Sequence, residues 1–493
     1  MTARSGAGAA PSDAEASPAA PAHAAKTSQE AERGRARRDA LVVAAAGLAA
    51  RLAVVAWAAG SIPPSADGAY YDTLAARLAE GHGYTWLWPD GAVTYAAHYP
   101  VGYPALVALG YALFGARPVV AMLINALVGA GAGVAVWSLV ARASTARLAL
   151  AAGLAVAIHP VLVPYTAAVM TEGVTTALLA IAAALAARAR VADRRGRWLA
   201  LTGLVMGIAT LVRPQSLVLA PFLGWLASRP PADEQASWPT RLRSAAPGAL
   251  VVTVAALAVC APWTARNCHR MERCALVSVN GGWNLAIGTQ TESGGWHELA
   301  VPDACKTVFQ EAAKDTCFGR EAMNEIVRRP GAWLARAPAK LRMTFDYFGA
   351  APWYLHTANP ERFPYRAKVA LGAVETLASR VLLAAALVAV FRMPADGRSR
   401  WGTRARKALS GIGLCACVLV PGTIAYLALA GAILALGWRA LERAPVVVPF
   451  TAAVLVATAL THAVFFGSGR YGIVVVPFVT ALAFVRPARA TWT

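Results

Sequence analysis

Charge is scarce in this 493-residue sequence: Asp, Glu, Lys and Arg together make up 15% of it. A soluble globular chain carries about a quarter, and so few charges cannot cover a folded surface of this size. That excludes a cytosolic enzyme, a secreted soluble protein and a DNA-binding factor. Acidic residues are scarcer still, 26 against 46 basic ones, for a net charge of +20. Cysteines number only 7. No apolar run directly follows Met1, so the start does not read as a signal peptide. No internal repeat relates the two halves. No Gly-rich loop stands on a strand–helix turn, the usual cradle for a soluble nucleotide.

Apolar residues are abundant, at 57% with a mean hydropathy of +0.49. They fall into stretches of membrane-spanning character, each about 15–25 residues long. These lie near 40–60, 118–140, 147–165, 170–188, 198–212, 215–228, 246–262, 370–391, 408–422, 423–438, 446–465 and 472–486. The pair around Pro421–Gly422 is read as two spans, with one long helix as the alternative. The expected fold is an all-α polytopic membrane protein of about 12 transmembrane helices.

The excess of basic residues follows alternate loops. Arg142 and Arg147, then Arg188 to Arg197, Arg229 to Arg243, Arg392 to Lys407, Arg439 and Arg443 all fall on one side. The other side holds 61–101, whose only Lys or Arg is Arg77, beside Asp67, Asp72, Glu80 and Asp90. By the positive-inside rule the N-terminus is cytoplasmic, and nucleic acid is not needed to explain the charge. Residues 1–38, rich in Ala, Ser, Pro and charge, are expected to be a disordered cytoplasmic tail. Residues 39–262 form an N-terminal transmembrane module with a first external loop at 61–117. A large external loop spans 263–365, and C-terminal helices follow at 366–493.

Function concentrates in long loops on a rigid scaffold. The first loop reads Asp67-Gly-Ala-Tyr-Tyr71-Asp72 and then His98-Tyr99-Pro100-Val-Gly102-Tyr103-Pro104. Further along come Leu211-Val-Arg213-Pro214, then Pro262-Trp263-Thr-Ala-Arg266-Asn267 with Ser278-Val-Asn280-Gly281-Gly282-Trp283, and finally His462 to Arg470-Tyr471. In order and spacing this set resembles the GT-C membrane glycosyltransferases, of the glycosyltransferase family 39, aminoarabinose-transferase-like and protein O-mannosyltransferase-like group. The resemblance covers roughly 40–485. It implies a GT-C bundle with external juxtamembrane helices and a small periplasmic loop domain. It also implies an inverting sugar transfer from a polyprenyl-phosphate donor to an extracytoplasmic lipid, protein or cell-envelope glycan, in a bacterial inner membrane.

In that group an acidic residue after the first helix acts as general base, and Asp67 occupies the position. On its own Asp67 reads as a helix N-cap. Asp72, five residues on, is a weaker accessory candidate. Relatives place an acid and a Lys before the loop's prolines, where this chain has Ala97 and His98. His98 is therefore a candidate for the donor phosphate. With the acid missing no obligatory metal is expected, although a divalent ion stays open. Arg470 with Tyr471, and Arg213, suit phosphate or sugar binding; a snorkelling anchor is the alternative for Arg470. Glu172 opens its span as Thr171-Glu172 and reads either as a cap or as a sugar ligand. Arg51 lies mid-span, where a charge needs a partner or a water-filled cavity.

Cys268, Cys274, Cys305 and Cys317 share the large loop. In an oxidising compartment they suggest two disulfides. Three pairings are possible, and the local one, 268–274 with 305–317, is expected. Cys260, Cys415 and Cys417 fall in apolar spans and are expected to be buried thiols. The competing class is a transporter or flippase, which would claim Arg51 and the Arg213-Pro214 break but calls for internal repeats. A sugar-polymer ligase or polymerase is a third possibility.

Overall fold

The structure, a computed structural model, describes residues 19–231, 233, 235–346, 349–393, 400–419 and 422–486. Residues 1–18 of the expected tail and 487–493 at the C-terminus lie outside it, as does Pro421 beside Gly422.

Helix α1 runs Ala19–Ala58. It starts inside the segment expected to lack order, so 19–38 is corrected to helix. Ala, Glu, Lys and Arg dominate that stretch, and all are strong helix formers. The first external loop folds as α2 (Asp67–Ala79), a two-stranded hairpin of β1 (Thr85–Leu87) and β2 (Val93–Tyr95), and α3 (Gly102–Phe114). The strands pair antiparallel, Thr85 opposite Tyr95 and Leu87 opposite Val93. This hairpin is the only sheet among the described residues.

The bundle continues with α4 (Pro118–Ala141), α5 (Ala146–Ala157), α6 (Thr171–Val191), α7 (Arg195–Val212), α8 (Leu219–Leu226) and α9 (Trp238–Arg270). The large loop contributes α10 (Gly281–Gln290), α11 (Glu311–Arg328), α12 (Pro330–Ala335), α13 (Ala337–Phe345) and α14 (Ala350–Ala358). Then follow α15 (Tyr365–Arg392), α16 (Arg400–Leu419), α17 (Gly422–Leu434), the short α18 (Trp438–Arg443), α19 (Val447–Val464) and α20 (Val476–Ala483).

A helix answers each of the twelve expected spans. Six of them are long and apolar enough to cross a membrane unaided: Gln29–Ala58 of α1, then α4, α6, α9, α15 and α19. Others are short because the chain breaks. Pro214 opens a 3-10 turn, Pro214–Val218, ahead of α8, and another turn, Gly469–Val475, precedes α20. The stretch around Gly422 is two helices. Gly413 faces Ala428 and Gly431 faces Leu409, so α16 and α17 run antiparallel.

The two ends of the bundle are distinct. At one end Arg190 donates to the carbonyls of Glu442 and Ala444, and Arg241 pairs with Glu442. The external loops gather at the other. There Asn359 donates to the Ser61 carbonyl, and Thr423 Oγ1 donates to Asp346 Oδ2. Cys268 is joined to Cys274 and Cys305 to Cys317. Cys260 and Cys417 are buried, but Cys415 is exposed, because residues two apart on a helix point about 200° apart, so α16 packs Cys417 and turns Cys415 outward.

Candidate active site

Four chain breaks at the loop-bearing end bring charged side chains together. Asp67 is the first residue of α2. Glu172 opens α6, Arg213 ends α7, and Arg470 lies on the turn after α19. Arg470 Nη2 lies 2.6 Å from Asp67 Oδ2, and its Nε lies 3.5 Å from Glu172 Oε1. Arg213 Nη1 donates to the same Glu172 oxygen at 2.7 Å and to Thr171 Oγ1 at 3.3 Å. The result is one ionic chain, Asp67–Arg470–Glu172–Arg213. Tyr165 donates its hydroxyl to the second Glu172 oxygen at 3.0 Å. Both Glu172 oxygens are thus occupied, as a buried carboxylate requires.

Asp67 does not cap its own helix: Ala66 holds the cap position without a side-chain bond. The carboxylate turns instead to Arg470 and to the Tyr99 hydroxyl, 3.5 Å from Oδ1. Burial, and after it the nearby Asp67, push the Tyr99 phenol far above its ordinary range, so it remains a donor. Ala66 has φ +52°, a left-handed value that costs a non-glycine residue strain. Gly68 packs so closely that a Cβ would lie 2.9 Å from both the Tyr354 hydroxyl and the Val169 carbonyl oxygen. Tyr354 in turn accepts from the backbone N–H groups of Ser65 and Val169. The α2 start is therefore locked against the α6 approach, and this fixes Asp67 opposite Arg470.

Tyr471 forms the floor beneath the arginines. Its ring lies under Arg213 and Arg470, with guanidinium carbons 4.9 and 5.1 Å from the centroid. It also stacks on His462 at 4.3 Å. His462 is held by the Phe466 carbonyl, 2.9 Å from Nδ1. Lys340, fully buried, donates to the Ala463 and Val464 carbonyls at the end of α19 and so steadies the turn that carries Arg470.

His98 adjoins this network through Tyr99. Its ring sits between Tyr99 and Trp283, with centroids 4.9 and 5.4 Å away. Burial lowers the imidazole pKa, while the carboxylates of Glu311, Asp315 and Asp67 pull it upward; burial is the larger effect. Glu311 was not legible from the sequence. It reaches from α11 into the first loop, where Oε2 accepts the N–H groups of Ala97 at 2.7 Å and His98 at 3.0 Å. Its Oε1 accepts Trp86 Nε1 at 2.6 Å. Four residues on, Asp315 accepts from Trp283 N–H and pairs with Arg273. One face of α11 thus ties the two external loops together.

Two candidates stay apart. Asp72 turns to α3 and accepts the Tyr111 hydroxyl; burial raises its pKa and that bond opposes the rise. Arg51 is 1% exposed and donates to the carbonyls of Ala157, at the end of α5, and Gly47. Its partner is backbone, and it joins neither Asp67 nor Glu172 in an ion pair.

Residues 98–265, about a third of the chain, match the family described as dolichyl-phosphate-mannose-protein mannosyltransferase. The fold is similar to that of the archaeal oligosaccharyltransferase AglB from Archaeoglobus fulgidus in complex with an inhibitory peptide and a dolichol-phosphate. The identity is 15% and the TM-score 0.41, covering 91% of this chain and 50% of that one. It is also similar to ArnT from Cupriavidus metallidurans in the apo state, at 15% identity and TM-score 0.36, covering 89% of this chain and 76% of the other. The same ArnT bound to undecaprenyl phosphate gives 15% and 0.38 over 90% and 76%. The chain spans half the length of the archaeal enzyme. No curated protein matches the sequence.

Proposed function

We propose that this chain is an inverting glycosyltransferase that moves a sugar from a polyprenyl-phosphate donor to an acceptor outside the cytoplasm, in a bacterial inner membrane. The observation that carries the reading is the ionic chain, which is most exposed at its Asp67 end. Side-chain exposure along it is 33% at Asp67, 15% at Arg470, 2% at Glu172 and 11% at Arg213. A carboxylate therefore stands at the open end, and two fixed cations stand behind it.

The chemistry follows from that order. Asp67 takes the proton of the acceptor hydroxyl as its oxygen attacks the anomeric carbon. The bond from that carbon to the donor phosphate breaks on the opposite face, and the electron pair leaves with the phosphate. Arg470 and Arg213, pre-oriented by Glu172 and Tyr471, balance the developing negative charge. No step runs through a metal, because the arginines supply the positive charge. His98, neutral between two aromatic rings, offers a further hydrogen bond to the donor. The acceptor is a lipid, a protein or a cell-envelope glycan.

The test is sugar transfer in membranes with and without the protein, using a radiolabelled polyprenyl-phosphate sugar pool. Label is followed into lipid, protein and polymer fractions. Protein-dependent labelling of one fraction supports the reading and identifies the acceptor class. If no fraction gains label, the transferase reading fails and transport of a lipid-linked substrate becomes the account to test.

A further inference from the structure

Behind the turn that carries Arg470 lies a partly open pocket of about 90 Å³, lined by Gly469 and Gly472 on one side and by α13, Asp346, α15 and the start of α17 on the other. None of the ionic-chain residues lines it. Its chemistry is mixed in a particular way. Glu375, on α15, is 3% exposed and lines the cavity. It lies beside the start of α14, where Ala350 also lines the space. Glu375 Oε1 has no partner among the described residues. Arg380, five residues further on the same helix, gives one N–H to the Cys417 carbonyl at 3.1 Å and also lines the space. Thr376 and Ser379 add hydroxyls between them. Tyr426 and Phe345, stacked at 5.1 Å, form an aromatic wall.

The set selects its occupant. An acyl chain would leave Glu375 unsatisfied. A bare phosphate would meet the Glu375 and Asp346 carboxylates, and a bare cation would meet Arg380, with both Asp346 oxygens already taken by Thr423. A neutral polyol suits both, because each hydroxyl donates to one group and accepts from another, while an aromatic face covers ring carbons. We infer that this cavity holds a saccharide, with Glu375 accepting one of its hydroxyls and Arg380 donating to another. The inference rests on the glycosyltransferase reading and adds a specificity site to it. The sugar belongs either to the lipid-linked donor or to a glycan acceptor; the cavity chemistry is the same for both.

The test uses the full chain in lipid nanodiscs, as wild type, Glu375→Gln and Arg380→Gln. Glu375→Gln keeps the size and one oxygen of the side chain, so folding is preserved, and Arg380→Gln probes the site independently. The probes are undecaprenyl phosphate, undecaprenyl-phosphate mannose, glucose and arabinose, and the methyl glycosides of the same sugars. The expected result is that one sugar binds the wild type more tightly than the sugar-free control. Both variants should lose that gain, about tenfold, because each removes a hydrogen bond to the sugar. Their affinity for bare undecaprenyl phosphate should not change. Loss confined to the glycosylated carriers assigns the donor sugar, and loss confined to the methyl glycosides assigns an acceptor glycan. Variants that bind every sugar as the wild type does overturn the inference. So does a wild type that prefers no sugar. The transferase reading is scored separately, by transfer of label in the same nanodiscs: transfer with unaltered variant binding sinks only the cavity.

Discussion

Glu172 shares its carboxylate with Arg213, Arg470 and Tyr165 while 2% exposed. Removing one member of such a buried set strands the others. Glu172→Gln is expected to cost about 3 kcal/mol, read as a lower unfolding temperature in detergent. A wild-type melting curve would show that the arginines find other partners. His98 makes a pH prediction. Its pKa lies below the ordinary imidazole value, so below about pH 6.5 the unfolded chain binds a proton that the folded chain refuses. Stability contributed at this residue is therefore full above that pH and is lost as pH falls toward the folded pKa. The melting temperature of His98→Gln should fall less than that of the wild type between pH 7 and 5; equal slopes would remove His98 from the account. At this scale the sequence was informative where a motif carried a charge. Asp67, Glu172, Arg213 and Arg470 were each legible one by one. Their assembly into one chain was not, because nothing in the sequence says which helix ends share a corner. The same limit applies to Arg51, whose burial need was legible but whose partner, the Ala157 carbonyl, has no side-chain signature.

Helix α11 connects the loops. Glu311 satisfies three N–H groups of the first loop, and Asp315, one turn later, holds the start of α10 and Arg273. The Cys305–Cys317 disulfide fastens the chain before the helix to the helix itself. Glu311→Ala should release the turn that carries His98 and Tyr99 while leaving Asp67 paired with Arg470. The expected outcome is a loss of about tenfold or more in kcat/KM, carried mainly by KM for the lipid donor, with faster proteolysis of the β1–β2 hairpin. Unchanged kinetics together with unchanged proteolysis would show that the clamp does nothing for the loop. The charged stretch from Lys306 to Leu341 looks helical from its composition, so the helix itself is legible in the sequence. The role of Glu311 was not, since a carboxylate at a helix start is favourable by itself and gives no sign of a distant partner. The hairpin was missed because its strands are three residues each, too short for an alternating pattern to register.

Across the whole molecule the chain separates two tasks. One end of the bundle is tied together by arginines on backbone carbonyls and by the Arg241–Glu442 pair. The other carries strain at Ala66, close packing at Gly68 and the ionic chain. The polytopic helical fold was legible from the apolar stretches, because long apolar runs can satisfy their backbone only as helices. The shortness of α5, α8 and α20 was not: in a packed bundle, neighbouring helices bury segments that hydropathy alone would extend. The central claim is that Asp67 removes the acceptor's proton. The most direct measurement is single-turnover transfer by purified wild type and Asp67→Asn, each loaded with the labelled lipid-linked sugar that the wild type transfers. The account predicts that Asp67→Asn binds the donor as the wild type does but transfers about 10²- to 10⁴-fold more slowly. Transfer by Asp67→Asn at the wild-type rate would contradict it.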